Sequence, residues 1–152
     1  MGANNALKEN TDISNTIEKV NSAVVGVAKL RNIGSTIFLS DGVESLGLGT
    51  GFIVSDDGYI LTNEHVSGSK YSSCYVTLED GKTYTGSVVW SDSDIDISIV
   101  KICANNLHFL ELGDSNNLKI AQSVYAIGNP IGSEFQRTVT AGIISGLNRT
   151  IK

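Results

Sequence analysis

His65 is the first residue in this 152-residue sequence whose type and setting could do chemistry. It follows Tyr59-Ile60-Leu61-Thr62, which reads as a strand, so a short turn would project its imidazole at a sheet rim rather than into a core. Further along, Ser91-Asp92-Ser93-Asp94-Ile95-Asp96-Ile97-Ser98-Ile99-Val100 supplies carboxylates. A neutral imidazole can take the proton of a hydroxyl nucleophile when a carboxylate holds the ring in the right tautomer and backbone N–H donors await the oxyanion. On spacing alone Asp92, Asp94 and Asp96 compete for the orienting role, and a solvated acidic face is the plain alternative for Asp92 and Asp94. Ile95, Ile97 and Ile99 fall on one face of the expected strand and Asp94, Asp96 and Ser98 on the other, so burying the isoleucines would turn the aspartates outward.

The remaining reactive side chains carry weaker signals. His108, in Leu107-His108-Phe109-Leu110, reads as a surface residue or a satisfied one rather than a catalyst. Cys74 and Cys103 are the only cysteines and sit in expected strands, with no thiol or histidine at a metal-ligand spacing. Free, partly buried thiols are expected, a bridge between neighbouring strands being the alternative. No metal or cofactor site is expected. The formal charge of −5 is spread along the chain without a basic cluster, which argues against nucleic acid as a partner. No apolar run approaches the roughly 18 residues that span a bilayer. Met1-Gly2-Ala3-Asn4-Asn5 has neither the basic nor the apolar region of an export leader, so the chain as it stands is expected to be soluble and without an export signal.

The elements that must position His65 and the aspartates are mostly strands. Ile13, Ile17 and Val20 have helical spacing over 12–20, with Thr11 or Asp12 as a cap. Val25, Val27 and Lys29-Leu30-Arg31 begin a strand that ends in the polar stretch Asn32 to Leu46. Further strands are expected at about 48–55, 58–62, 73–79, 82–90 and 95–102, with Asp56-Asp57-Gly58 and Glu79-Asp80-Gly81 as tight turns that need positive φ. Six short strands without intervening long helices give an all-β class, an antiparallel barrel or sandwich. The pattern loosens from Ala104 to Ala121, and two more strands follow at about 123–128 and 134–147. Two strands cannot close a second barrel or hide their edges.

Several motifs in register resemble the HtrA/Deg family of trypsin-like serine proteases. Gly49-Thr50-Gly51-Phe52-Ile53-Val54 is similar to the family's Gly-Ser-Gly-Phe-Ile strand, and Gly58-Tyr59-Ile60-Leu61-Thr62-Asn63-Glu64-His65-Val66 to its segment around the catalytic histidine. Asp96-Ile97-Ser98-Ile99-Val100-Lys101-Ile102 resembles the run that opens with the catalytic aspartate, and this likeness singles out Asp96. It continues through Leu112-Gly113-Asp114-Ser115, Val124 to Gly132 and Thr138 to Ser145, covering nearly everything from about Ile17 onward. The resemblance implies a chymotrypsin-like fold with a tail and short helix at 1–21, a complete six-stranded first barrel at 22–103, a crossing segment at 104–122, and a second barrel only begun at 123–152.

It also implies a serine-type endopeptidase acting on unfolded or damaged proteins, extracytoplasmic in its parent form, with His65 and Asp96 as catalytic residues. No serine here stands in the family's Gly-x-Ser-Gly-Gly loop, so the nucleophile is expected beyond this chain, and the 152 residues alone are expected to be inactive. Two other readings stay open. One is a non-catalytic assembly module that pairs its second-barrel strands with another copy or another chain, which would make a homo-oligomer. The other is a stable first barrel followed by a disordered or strand-swapped remainder.

Overall fold

The computed structural model describes residues 13–29, 48–128 and 138–149. The expected cap at Thr11 or Asp12, the link through 32–46 and the junction at 129–132 lie outside them. A helix, α1, covers 13–21, and β1 follows at Val24–Lys29. Then come β2 (Leu48–Ile53), β3 (Tyr59–Thr62), a single helical turn α2 (Glu64–Ser67), β4 (Ser73–Thr77), β5 (Thr83–Asp92) and β6 (Ile97–Lys101). A 3₁₀ turn at Ser115–Asn117 precedes β7 (Ser123–Gly128) and β8 (Thr138–Ile143).

Six strands close into an antiparallel barrel in the order β1-β2-β3-β6-β5-β4. Alternation along each strand sends one face inward. Val27, Ile60, Cys74, Val76, Val100 and Ile102 are fully buried there. Each such aliphatic side chain contributes about 1.5–3 kcal/mol on leaving water, so the barrel is a packed core. The Asp-Gly turns behave as their composition requires: Gly58 has φ 100° and Gly81 φ 81°, values that L side chains rarely adopt. Cys74 and Cys103 are both unpaired, but their settings differ. Burial pushes the Cys74 thiol up to about 11, so it stays protonated near neutrality; Cys103 is exposed.

The facing of β6 is the reverse of the sequence-based expectation. Ser98 and Val100 are buried, Ile97 and Ile99 are half-buried, and Ile95 is exposed. Ile95 lies in the turn before the strand, and the inward positions of β6 are Ser98 and Val100, so the three isoleucines do not form the core stripe. The first part of the crossing segment is also more ordered than its loose pattern implied. Leu107 N–H donates to Asp56 O at 3.0 Å and Leu110 N–H to Ile53 O at 2.9 Å. Both side chains pack against the barrel core. Leu107 and Leu110 thus dock the start of the crossing segment on the barrel.

β7 and β8 make a separate two-stranded antiparallel sheet, with Ala121 and Gln122 extending the pairing to Ile144. Among the described residues these two strands pair only with each other.

One close approach ties the barrel to α2. A Cβ on Gly49 would sit 2.3 Å from Val66 Cγ1, so the missing side chain lets Val66 and its helical turn pack directly on β2. Val66 is β-branched and has little rotamer freedom to yield. Gly49→Ala is therefore expected to lower stability by about 1–3 kcal/mol through overpacking, read as a lower urea midpoint. Gly113→Ala, where a Cβ meets nothing within 4 Å, should stay within about 0.5 kcal/mol of the parent.

Candidate active site

β3 and β6 are antiparallel neighbours, with Thr62 opposite Ser98. Residues just after β3 and just before β6 must therefore emerge at the same rim of the barrel. Asn63 is extended at φ −83°, ψ 146° and starts α2, which carries His65. On the other strand, Asp92 Oδ1 accepts the Asp94 N–H at 2.9 Å and the Ile95 N–H at 3.4 Å, folding 92–95 into a turn. Asp96 then takes φ 53°, a left-handed conformation that aspartate tolerates better than most residues.

That turn aims the Asp96 carboxylate at the histidine. His65 backbone N–H donates to Oδ1 at 3.0 Å, and the ring Nδ1 lies 2.6 Å from Oδ2. The Asn63 amide Nδ2 donates to the Asp96 carbonyl at 3.0 Å and reaches Oδ2 at 3.3 Å. An ionised carboxylate only accepts hydrogen bonds, so Nδ1 carries the proton and the neutral ring keeps Nε2 as an acceptor. The backbone N–H of His65, followed by its ring, holds the Asp96 carboxyl below the usual carboxylate range. The side chains are 70% and 43% exposed, so the ring faces open space at the rim and is accessible to a hydroxyl.

Beneath the pair lies a buried polar contact with no local sequence signal. Ser67 Oγ and Ser98 Oγ are 2.6 Å apart and both residues are fully buried. Ser67 Oγ is also 3.0 Å from Gly68 O, and Ser98 Oγ is 3.5 Å from Asn63 O. The pair thus ties the helical turn that carries His65 to the strand that follows Asp96.

The structure brings Asp96 alone of the three aspartates to His65; Asp92 is occupied in its turn and Asp94 is exposed. His108 Nδ1 is 2.6 Å from Ser22 Oγ, which itself donates to Lys19 O at 2.7 Å, so the ring pins the crossing segment to the end of α1. The sequence assigns no site role to Asn63 or Ser67 and puts Ser98 on the outward face, whereas it is fully buried. Asn63 had a readable signal, since asparagine before a short polar stretch is a helix-cap candidate. The serines had none, because their contact joins segments that are distant along the chain. Among the described residues, no group of three or more His, Cys, Asp or Glu side chains could hold a metal ion.

Residues 49–152 match the model of the trypsin-like peptidase domain. The chain is similar to a probable periplasmic serine endoprotease DegP-like from Halomonas elongata, at 45% identity over 71% of this chain and 22% of the relative. It is also similar to the serine protease Do-like HtrA of Bacillus subtilis, at 35% identity over 95% of this chain and 34% of the relative. Among solved structures it resembles the HtrA-type protease AlgW with tripeptide, with a TM-score of 0.73 and 30% identity, covering 90% of this chain and 40% of that one. The chain therefore spans between about a fifth and a third of the length of these curated relatives.

Two outcomes follow from the site's physics. Ser67→Ala leaves the buried Ser98 hydroxyl only its long 3.5 Å contact to Asn63 O and is expected to cost about 1–3 kcal/mol. Adding Ser98→Ala should cost less than the sum of the two single changes, as a double-mutant cycle in urea would read. The depressed Asp96 carboxyl stabilises the fold above the ordinary carboxylate value near pH 4, and that contribution is lost as pH falls through the lower folded value. The stability difference between the parent and Asp96→Asn should therefore shrink between about pH 5 and pH 2.

Proposed function

This chain belongs to the trypsin-like peptidase family and is HtrA-like, and we propose that it serves a serine endopeptidase in which His65 is the general base and Asp96 its orienter. The observation that carries the reading is the 2.6 Å contact from His65 Nδ1 to Asp96 Oδ2 at an open barrel rim. With the Nδ1 proton held by Asp96, Nε2 takes the proton of a serine hydroxyl as its oxygen attacks a peptide carbonyl. The resulting imidazolium, stabilised by the Asp96 carboxylate, then gives that proton to the leaving amine.

The serine and the oxyanion donors are assigned to residues outside these 152, since no serine here stands in a Gly-x-Ser-Gly-Gly loop. In this reading residues 22–103 form the catalytic first barrel, 104–122 the crossing, and 123–152 the opening strands of a second barrel. The substrates are peptide bonds in unfolded or damaged proteins outside the cytoplasm, in keeping with relatives named as periplasmic endoproteases. Among the described residues no helix is long and apolar enough to cross a membrane.

Casein digestion tests the assignment. The 152-residue chain should give no turnover, and the longer polypeptide that contains it should lose on the order of 10⁴-fold or more of its activity on His65→Ala. Turnover by the 152-residue chain that disappears in His65→Ala would overturn the placement of the nucleophile. Full activity of the longer His65→Ala polypeptide would overturn the role of the histidine.

A second reading is favoured by the β7–β8 sheet, where Tyr125 and Ile143 are exposed apolar side chains. Unpaired strand edges with apolar faces recruit further strands. In this reading the sheet pairs with a second copy of the chain, with no catalytic role. Light scattering at high concentration separates the two: a discrete dimer supports assembly, and a clean monomer counts against it.

A further inference from the structure

We propose that Asn63 is a positioning residue for the His65–Asp96 pair, its side-chain amide bridging the backbone carbonyl and the carboxylate of Asp96. The inference rests on the catalytic reading of that pair given above. Asparagine is favoured at the first position of a helix because its side-chain oxygen accepts an N–H of the first turn. Here the N-cap side chain makes no such bond. The amide is turned the other way, with Nδ2 3.0 Å from Asp96 O and 3.3 Å from Asp96 Oδ2. Both of those partners are acceptors, so the nitrogen and not the oxygen must face them.

The left-handed backbone of Asp96 points its carbonyl at the start of α2. Glu64 N–H reaches that carbonyl only at 3.4 Å, which leaves Asn63 as the nearer donor. The other two bonds to the carboxylate both come from His65. Asn63 thus supplies a bond from a residue other than the one being oriented, and it holds the carboxylate in place while the ring gains and loses its proton. A neutral donor suits this task. A lysine there would neutralise the charge that stabilises the imidazolium, whereas the amide fixes direction and leaves the charge intact.

The test needs no turnover and uses the 152-residue chain with ¹⁵N-labelled histidine and ¹³C-labelled aspartate. Serine and aspartate are both favoured at a helix N-cap position, so Asn63→Ser and Asn63→Asp remove the amide donor without an unfavourable residue there. Above the imidazole titration, NMR of the His65 ring nitrogens reads the ratio of Nδ1–H to Nε2–H tautomers. In Asn63→Ser the Nδ1–H share should fall, with a change of about threefold to tenfold in that ratio, while the urea midpoint hardly changes. Asn63→Asp, which adds a like charge, should move the Asp96 titration up. In an Asp96→Asn background Asn63→Ser should have no further effect on the ring. A folded Asn63→Ser chain with unchanged tautomer ratio, or an unmoved Asp96 titration in Asn63→Asp, overturns the proposal. If Asp96→Asn itself leaves the ring tautomer unchanged, the orienting role of Asp96 fails instead.

Discussion

The Asp96 carboxylate accepts two N–H groups from a single residue, the backbone and the ring of His65, and that double hold sets what the rest of the molecule must do. A pair this exposed adds little to stability, because water screens it and competes for its hydrogen bonds. Its geometry has to be imposed from outside. The barrel supplies the frame by placing the end of β3 and the start of β6 side by side in antiparallel register. A turn organised by Asp92 then sets the direction of Asp96, and one helical turn sets that of His65.

The support beneath the pair is local and dense. Val66 reaches β2 only because position 49 lacks a side chain, and Ser67 meets Ser98 inside the core. The two sides of α2's attachment differ in kind, one a close apolar contact and the other a buried hydroxyl pair. Together they restrict how the helical turn can roll, and so how far the imidazole can swing. The ring keeps an open side, toward which a hydroxyl and a peptide chain would approach. A carboxylate behind the imidazole and free space in front of it is the arrangement that the proposed acyl transfer requires.

Much of this was legible in the chain. Strand positions followed from short apolar runs between turn residues, and the two Asp-Gly pairs marked turns whose glycines do take positive φ. The order of His65 and Asp96, embedded in several family motifs, pointed to their meeting. The facing of β6 was misread because Ile95, Ile97 and Ile99 looked like a core stripe, while the actual inward side chains include a serine. A buried hydroxyl is invisible to hydrophobic patterning, since its partner lies on a segment far away in sequence. α2 is a single turn and too short to show a helical period. Leu107 and Leu110 dock on the barrel through contacts that no local rule reports.

The central claim is that the protein holds His65 with its Nδ1 proton on Asp96 and its Nε2 free to receive another. A long-range ¹H–¹⁵N NMR spectrum of the unaltered chain, recorded above the imidazole titration, addresses it most directly. The account predicts a strongly deshielded Nδ1–H proton and an Nε2 shift characteristic of an unprotonated nitrogen. A ring protonated mainly on Nε2, or one whose two nitrogens average as in free histidine, would contradict it.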